Sequence, residues 1–133
     1  MDKKQLAQLV TQMENYLECW KQFNKFVALA RTKKFSEEDE MQFLEIKSVI
    51  AQELEMILAT VACEEPSKEE IHALLGGAPS LRHLSEMQES VARGVENNWH
   101  KIFIGFQSIL GQLKVQQKQL EAQSGWSFFK KKG

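Results

Sequence analysis

The sequence predicts an all-α protein, an up-down-up helical bundle of three main helices with a short helical corner and an extended C-terminal helix. Two observations carry that expectation. Apolar residues recur at steps of three and four along nearly the whole chain, which places them on one face of successive helices. The only prolines, Pro66 and Pro79, fall between the periodic stretches.

The first helix is expected over about residues 3–31. Leu6, Leu9, Met13, Tyr16, Trp20, Phe23, Val27 and Ala30 form its stripe, and Val10, Leu17 and Phe26 widen it. A seam that wide suits a bundle helix better than a two-stranded coiled coil. Trp20 and Phe23 read as core aromatics, not as a ligand cage.

A basic connector, Thr32 to Phe35, leads to Ser36, an N-cap followed by Glu37, Glu38 and Asp39, where the helix dipole favours negative charge. Asp39 at the third position makes an approximate capping box. The second helix is expected to reach about Cys63, with Phe43, Ile46, Ile50, Leu54, Ile57 and Val61 inward. So short a link between two long helices implies an antiparallel hairpin.

Pro66 ends that pattern. Ser67 and Glu70 form a second capping-box signal, with Ile71, Leu74 and Leu75 at helical spacing behind it. Gly76 and Gly77 point to a left-handed C-cap, and Ala78-Pro79 completes a corner that Leu74 and Leu75 could use to lid the bundle.

The third helix is expected to run unbroken from Ser80 to about Gln123, roughly 60 Å at 1.5 Å per residue. Its stripe is Val91, Val95, Trp99, Ile102, Phe106, Ile109 and Leu113. The phase passes through Asn97 and Asn98 without a jump; a break there would give a four-helix bundle instead. Gly94 and Gly105 are three turns apart on one side, which suits close approach of a neighbouring helix, with a kink as the competing reading. Phe103, Ile104 and Gly111 fall toward the back face and are the candidate self-association surface, formed where the helix outruns the hairpin. Gly125 is expected to stop the helix. A single domain, 1–124, is then followed by a tail, 125–133, holding Trp126, Phe128, Phe129, Lys130, Lys131 and Lys132.

Net charge is −1, so no overall basic field argues for nucleic acid. Its distribution is uneven: residues 1–34 carry +4, 35–70 carry −9, 71–92 carry −1 and 93–133 carry +5. Such alternation favours packing the acidic second helix against both basic ones; recruitment of a basic partner by Glu37–Glu40 is the other reading. Cys19 and Cys63 form no CxxC pair and read as small hydrophobes on helix faces. No stretch reaches the apolar run of about 20 residues that a membrane span needs. The Met-Asp-Lys-Lys start lacks a leader pattern, so the expectation is a cytoplasmic, reducing setting.

Chemistry-bearing motifs are scarce. Glu69 and His72 have the spacing of a di-iron bundle ligand pair, but on a two-turn helix without the further carboxylates such a site uses. Glu96 and His100 are four apart with no matching inward carboxylate, and His83 stands alone. There is no nucleophile elbow, and Gly76-Gly77 is not a phosphate cradle. The expectation is therefore no enzyme, no cofactor and no metal. The chain reads as a non-catalytic protein–protein interaction module, a small adaptor, assembly factor or chaperone-like protein, with a protein partner and a homodimer as its assemblies. The alternative is a peripheral protein holding an anionic membrane surface with its aromatic and lysine tail. A metal-carboxylate bundle enzyme comes third.

Overall fold

A computed structural model of the chain describes the backbone of residues 1–61 and 65–132 and the side chains of residues 1–61 and 65–123. Among these residues there are five helices and no strand: α1 (Lys3–Thr32), α2 (Glu37–Thr60), α3 (Lys68–Gly77), α4 (Leu81–Glu86) and α5 (Glu89–Lys132). The all-α bundle stands.

Local chemistry accounts for most of the helix ends. Asp2 and Gln5 make a reciprocal capping box at the start of α1, with Gln5 N–H donating to Asp2 Oδ1 at 2.8 Å. Ser36 and Asp39 make the expected box on α2, at 2.9 and 3.1 Å. The Ser67 signal is only half used. Ser67 Oγ accepts from Glu70 N–H at 3.1 Å, but the Glu70 carboxylate turns outward to Lys101 on α5 at 3.5 Å. An ion pair to another helix replaces the reciprocal bond.

Three expected boundaries move. Gly76 and Gly77 both lie inside α3, no described glycine has positive φ, and Ala78 caps the helix at φ −124°. The left-handed cap sits instead at Lys33, after α1, with φ 60°. The rod expected from Ser80 is interrupted: α4 closes at Met87, in extended conformation, and α5 starts at Glu89. The helical phase explains the interruption. After Leu81 and Leu84 the next inward position of a continuous helix would be Gln88, a polar side chain with no place in the core. The chain re-phases instead, so that Met87 packs on the core and Ala92 is buried, while Val91, expected inside, is 51 % exposed. From there α5 continues without a break past Asn97 and Asn98, and its backbone passes Gly125 to reach Lys132.

α1 is the central helix, and not the acidic α2. It packs against α2 on one side and against α4 and α5 on the other, while α3 lies on α5. Burial outweighs charge alternation: α1 carries ten buried residues on one broad face, far more apolar surface than any pattern of surface charges offsets. Among the described residues the ion pairs are exposed and mostly local, such as Lys21–Glu18, Arg82–Glu86 and Arg93–Glu89.

The direction of the long helix also differs from the up-down-up expectation. Trp99 Nε1 donates to the Trp20 carbonyl at 2.8 Å, the Phe106 and Tyr16 rings meet edge-on at 5.3 Å, and Leu113 and Gln116 border the same hollow as Leu9 and Met1. α5 therefore descends along α1, as α2 does. The ascending leg is α3, where Pro66 meets Gly105 and Glu70 meets Lys101. The corner is thus a short third bundle helix.

α4 is held at both ends across the top of the bundle. The Glu40 carboxylate accepts from Leu81 N–H at 2.8 Å, and the Arg31 guanidinium donates to the Leu84 and Met87 carbonyls at 3.2 and 3.1 Å. A carboxylate at the N-terminus and a cation at the C-terminus of a helix both match its dipole.

Candidate interaction surface

The inner seam between α1 and α5 is closed. Trp20, Tyr16 and Phe106 are fully buried and pack edge to face or tilted against one another. The Tyr16 hydroxyl donates to the Ile50 carbonyl of α2 at 3.0 Å, so one phenol ties the two partners of α1 together. Burial pushes its pKa well above the ordinary phenol value; closeness to the Trp20 indole tempers this slightly, and Glu53 and Cys19 add to it. The Trp20 N–H itself makes no hydrogen bond of acceptable geometry among the described residues.

The seam between α1 and α2 closes only on its inner side, where Phe23 and Phe26 pack on Phe43 at 5.3 and 6.1 Å. On the side facing away from α4 and α5 it opens into a groove of about 720 Å³. Cys19, Phe26, Leu29, Ile46 and Val49 form its half-buried apolar floor, Gln22 and Lys25 its α1 wall, and Gln42 and Glu45 its α2 wall. The groove is a consequence of residue spacing. On α2, Ile46 and Val49 sit to one side of the buried Phe43–Ile50–Leu54–Ile57 stripe, and among the described residues only α1 and α2 line that flank. Burial raises the pKa of the Cys19 thiol, and Glu53 and Glu18 raise it further, so the group is an apolar thiol rather than a nucleophile at neutral pH. Lys47, on the opposite side of Phe43, holds its ammonium 5.8 Å above that ring; burial lowers its pKa.

The residues singled out from the sequence fall into three places. Phe103 stacks on Trp99 at 4.8 Å and packs against the core. With Gly111 it borders a shallow polar hollow between α5 and α1, beside Leu17 and Lys21. Ile104 does not line that hollow and is 49 % exposed on the outer side of α5, where Val115 is 55 % exposed. Trp126, Phe128, Phe129, Lys130, Lys131 and Lys132 have side chains outside the described residues. Leu120 packs against the core, Glu121 to Gln123 are exposed, and the helix backbone continues to Lys132, about 18 Å beyond Leu120 at 1.5 Å per residue.

Of the glycines, Gly105 has the close neighbour. A Cβ there would stand 2.7 Å from Pro66 Cδ, so the tight approach is made by the residue leading into α3; Gly94 and Gly111 face open space. His72, His83 and His100 are exposed, and among the described residues no three His, Cys, Asp or Glu side chains converge as metal ligands. No described helix is long and apolar enough to cross a membrane. The groove was missed in the sequence because its floor was counted as core. The signal that could have found it is the width of the α1 and α2 stripes, which exceeds what the remaining helices can cover.

No protein-family model matches the chain, and neither a curated protein nor a solved structure resembles it significantly.

Proposed function

We propose that this protein is a non-catalytic protein-interaction module, of the small adaptor, assembly-factor or chaperone-like kind, acting through apolar surface that its own helices leave uncovered. The observation that carries the reading is the groove between α1 and α2, a half-buried apolar floor between two polar walls. A groove of that form, flanked by helices, suits an amphipathic helix laid along it. The run of α5 past Leu120, with the sequence Trp126-Ser-Phe-Phe-Lys-Lys-Lys132, supplies a second contact element of aromatic anchors and cations. A cytoplasmic setting accords with a sequence whose two cysteines form no CxxC motif.

The test is affinity capture from native lysate with full-length protein, with Val49→Glu and with a 1–124 truncation. A defined protein bound by the full chain and lost from either variant supports the reading. Equal capture by all three, or none by any, rejects it. The aromatic and lysine run also favours a second reading, attachment to an anionic membrane surface. Flotation with phosphatidylserine vesicles that depends on residues 125–133 would establish that reading instead, since lysines near such a surface contribute about 1 kcal/mol each.

A further inference from the structure

The structure points to a specific occupant for the open groove: we propose that it seats α1 of a second copy of this chain, in a parallel two-fold dimer. The inference rests on the interaction-module reading and names its partner. Its first ground is a second stripe on α1, separate from the buried one. Gln12, Asn15, Cys19, Gln22, Phe26 and Leu29 step by three and four along one flank, and none of them is buried. The last four of these except Asn15 and Gln12 line the groove. From Gln8 to Leu29 the stripe carries no charge, although Glu14, Glu18, Lys21 and Lys25 of the same helix are exposed roughly a quarter turn away. An uncharged stripe of this kind suits a helix that lies beside its own copy. In a parallel pair about a dyad along the helix each residue meets itself, so a charge would face a like charge. The side-chain amides of Gln and Asn both donate and accept, and so pair with their own copies.

The second ground is the course of the groove. Above lies the apolar trough of about 720 Å³; below it, a more polar hollow of about 430 Å³ bordered by Gln5, Gln8, Gln12 and Thr60 continues between the same two helices. The stripe changes in step, from Phe26 and Leu29 above to Asn15, Gln12 and Gln8 below. A helix entering along its whole length sets its aromatic and aliphatic residues in the trough and its amides along the hollow. The groove faces away from α4 and α5, so in such a pair both stay on the outside, clear of the contact. The 30 residues of α1 make a contact about 45 Å long. Across two helix widths of about 10 Å it comes to on the order of 800 Å² per partner, the size of a stable interface. The contact is isologous and closes after two copies.

The third ground is charge. Lys25 stands on the α1 wall of the groove and Glu45 on the α2 wall, and neither makes an ion pair among the described residues. Phe26 packs on Phe43 at 6.1 Å, which sets Lys25 and Glu45 within about one turn of each other in height. A dyad along the helices preserves height. It lays α1 of the second copy antiparallel to α2 and brings Lys25 of that copy beside Glu45, and the pair forms twice, once on each rim. A second copy turned end for end would instead stack α1 on α1 and α2 on α2, and Lys25 would not meet Glu45. Rim ion pairs fix orientation more than they add affinity; Phe26 and Leu29 supply the affinity. The same dyad sets Cys19 level with Cys19 of the second copy, facing it across the axis.

Sedimentation equilibrium of the full-length protein tests the dimer, and three sets of variants test its geometry. Gln22→Glu sets two carboxylates against each other at the dyad and should weaken the dimer at least about tenfold, with helicity by circular dichroism unchanged. Asn15→Glu, exposed on the same stripe, repeats the comparison should Gln22→Glu unfold. Lys25→Glu should weaken the dimer severalfold, and adding Glu45→Lys should restore it. In a Cys63→Ser background, oxidation with copper-phenanthroline in air should join Cys19 to Cys19, and Cys19→Ser should abolish the product. A monomeric wild type overturns the inference. So does a dimer indifferent to the stripe variants, one that the charge exchange fails to restore, or one in which Cys19 stays reduced. Such a failure is distinct from failure of the broader reading, which the capture experiment decides by a foreign protein bound through the same groove.

Discussion

α1 has two sides built from the same kinds of residue at the same spacing, and they end up as different objects. Toward α5, Trp20, Tyr16 and Phe106 are sealed, with Trp99 bonded across the seam. Toward α2, Phe23 and Phe43 are sealed but Phe26, Ile46 and Val49 are left half-open above a groove. Neither hydropathy nor periodicity separates the two. What separates them is whether a further helix of the chain passes over the flank: α4 and α5 do so on one side, and among the described residues only α1 and α2 line the other. An apolar stripe therefore reports what must be covered, while the source of the cover remains a tertiary matter.

Truncation on the two sides measures the contrast most directly. Phe106→Ala empties a fully buried aromatic site and should cost about 3–5 kcal/mol in denaturant unfolding. Ile46→Ala, at the open flank, should cost about 1 kcal/mol, because its side chain already meets solvent and the site can collapse. Equal costs would mean that the groove is closed in solution.

The glycines of α5 sharpen the comparison at a smaller scale. Gly105→Ala forces a methyl group to 2.7 Å from the rigid Pro66 ring; overpacking of that kind costs about 1–3 kcal/mol, less the gain of about 1 kcal/mol in helix propensity. The expected result is net destabilisation. Gly94→Ala meets nothing and should stabilise by the propensity gain alone. Opposite signs in thermal unfolding are the prediction, and a shared sign would deny that Pro66 is wedged against α5.

The smallest effect is in the pH dependence. Tyr16 has a folded-state pKa raised above the phenol reference of 10.0, so its contribution is complete below pH 10 and is lost as pH rises beyond it, when the unfolded chain ionises and the folded one resists. Relative to Tyr16→Phe, which lacks the bond to the Ile50 carbonyl worth about 1 kcal/mol, the wild type should lead at neutral pH. Its lead should shrink by up to about 1.4 kcal/mol for each pH unit above 10. A constant gap would place the hydroxyl in water.

The cap at Ser36 and the inward faces of α1 and α2 were legible because each depends on residues within two turns of one another. The interruption at Met87 was legible in principle, in the phase error that puts Gln88 under Leu84, but it was hidden by continuity further along. Of the residues named for the candidate surface, Ile104 is half exposed and Phe103 packs beside Trp99, while the groove went unread. No local pattern marks a groove, since its floor residues keep the same spacing as the core.

The sequence by itself determined that this chain forms helices, where most of them begin, and which side of each must leave water, because those are properties of neighbouring residues on one helix. Only the tertiary structure settled that α1 is the centre, that α5 descends beside it and that one flank stays open. Those outcomes depend on how far the links between helices can carry the chain and on which apolar faces compete for the same neighbour. Burial then selects the arrangement that covers the most surface, and leaves uncovered what five helices cannot reach.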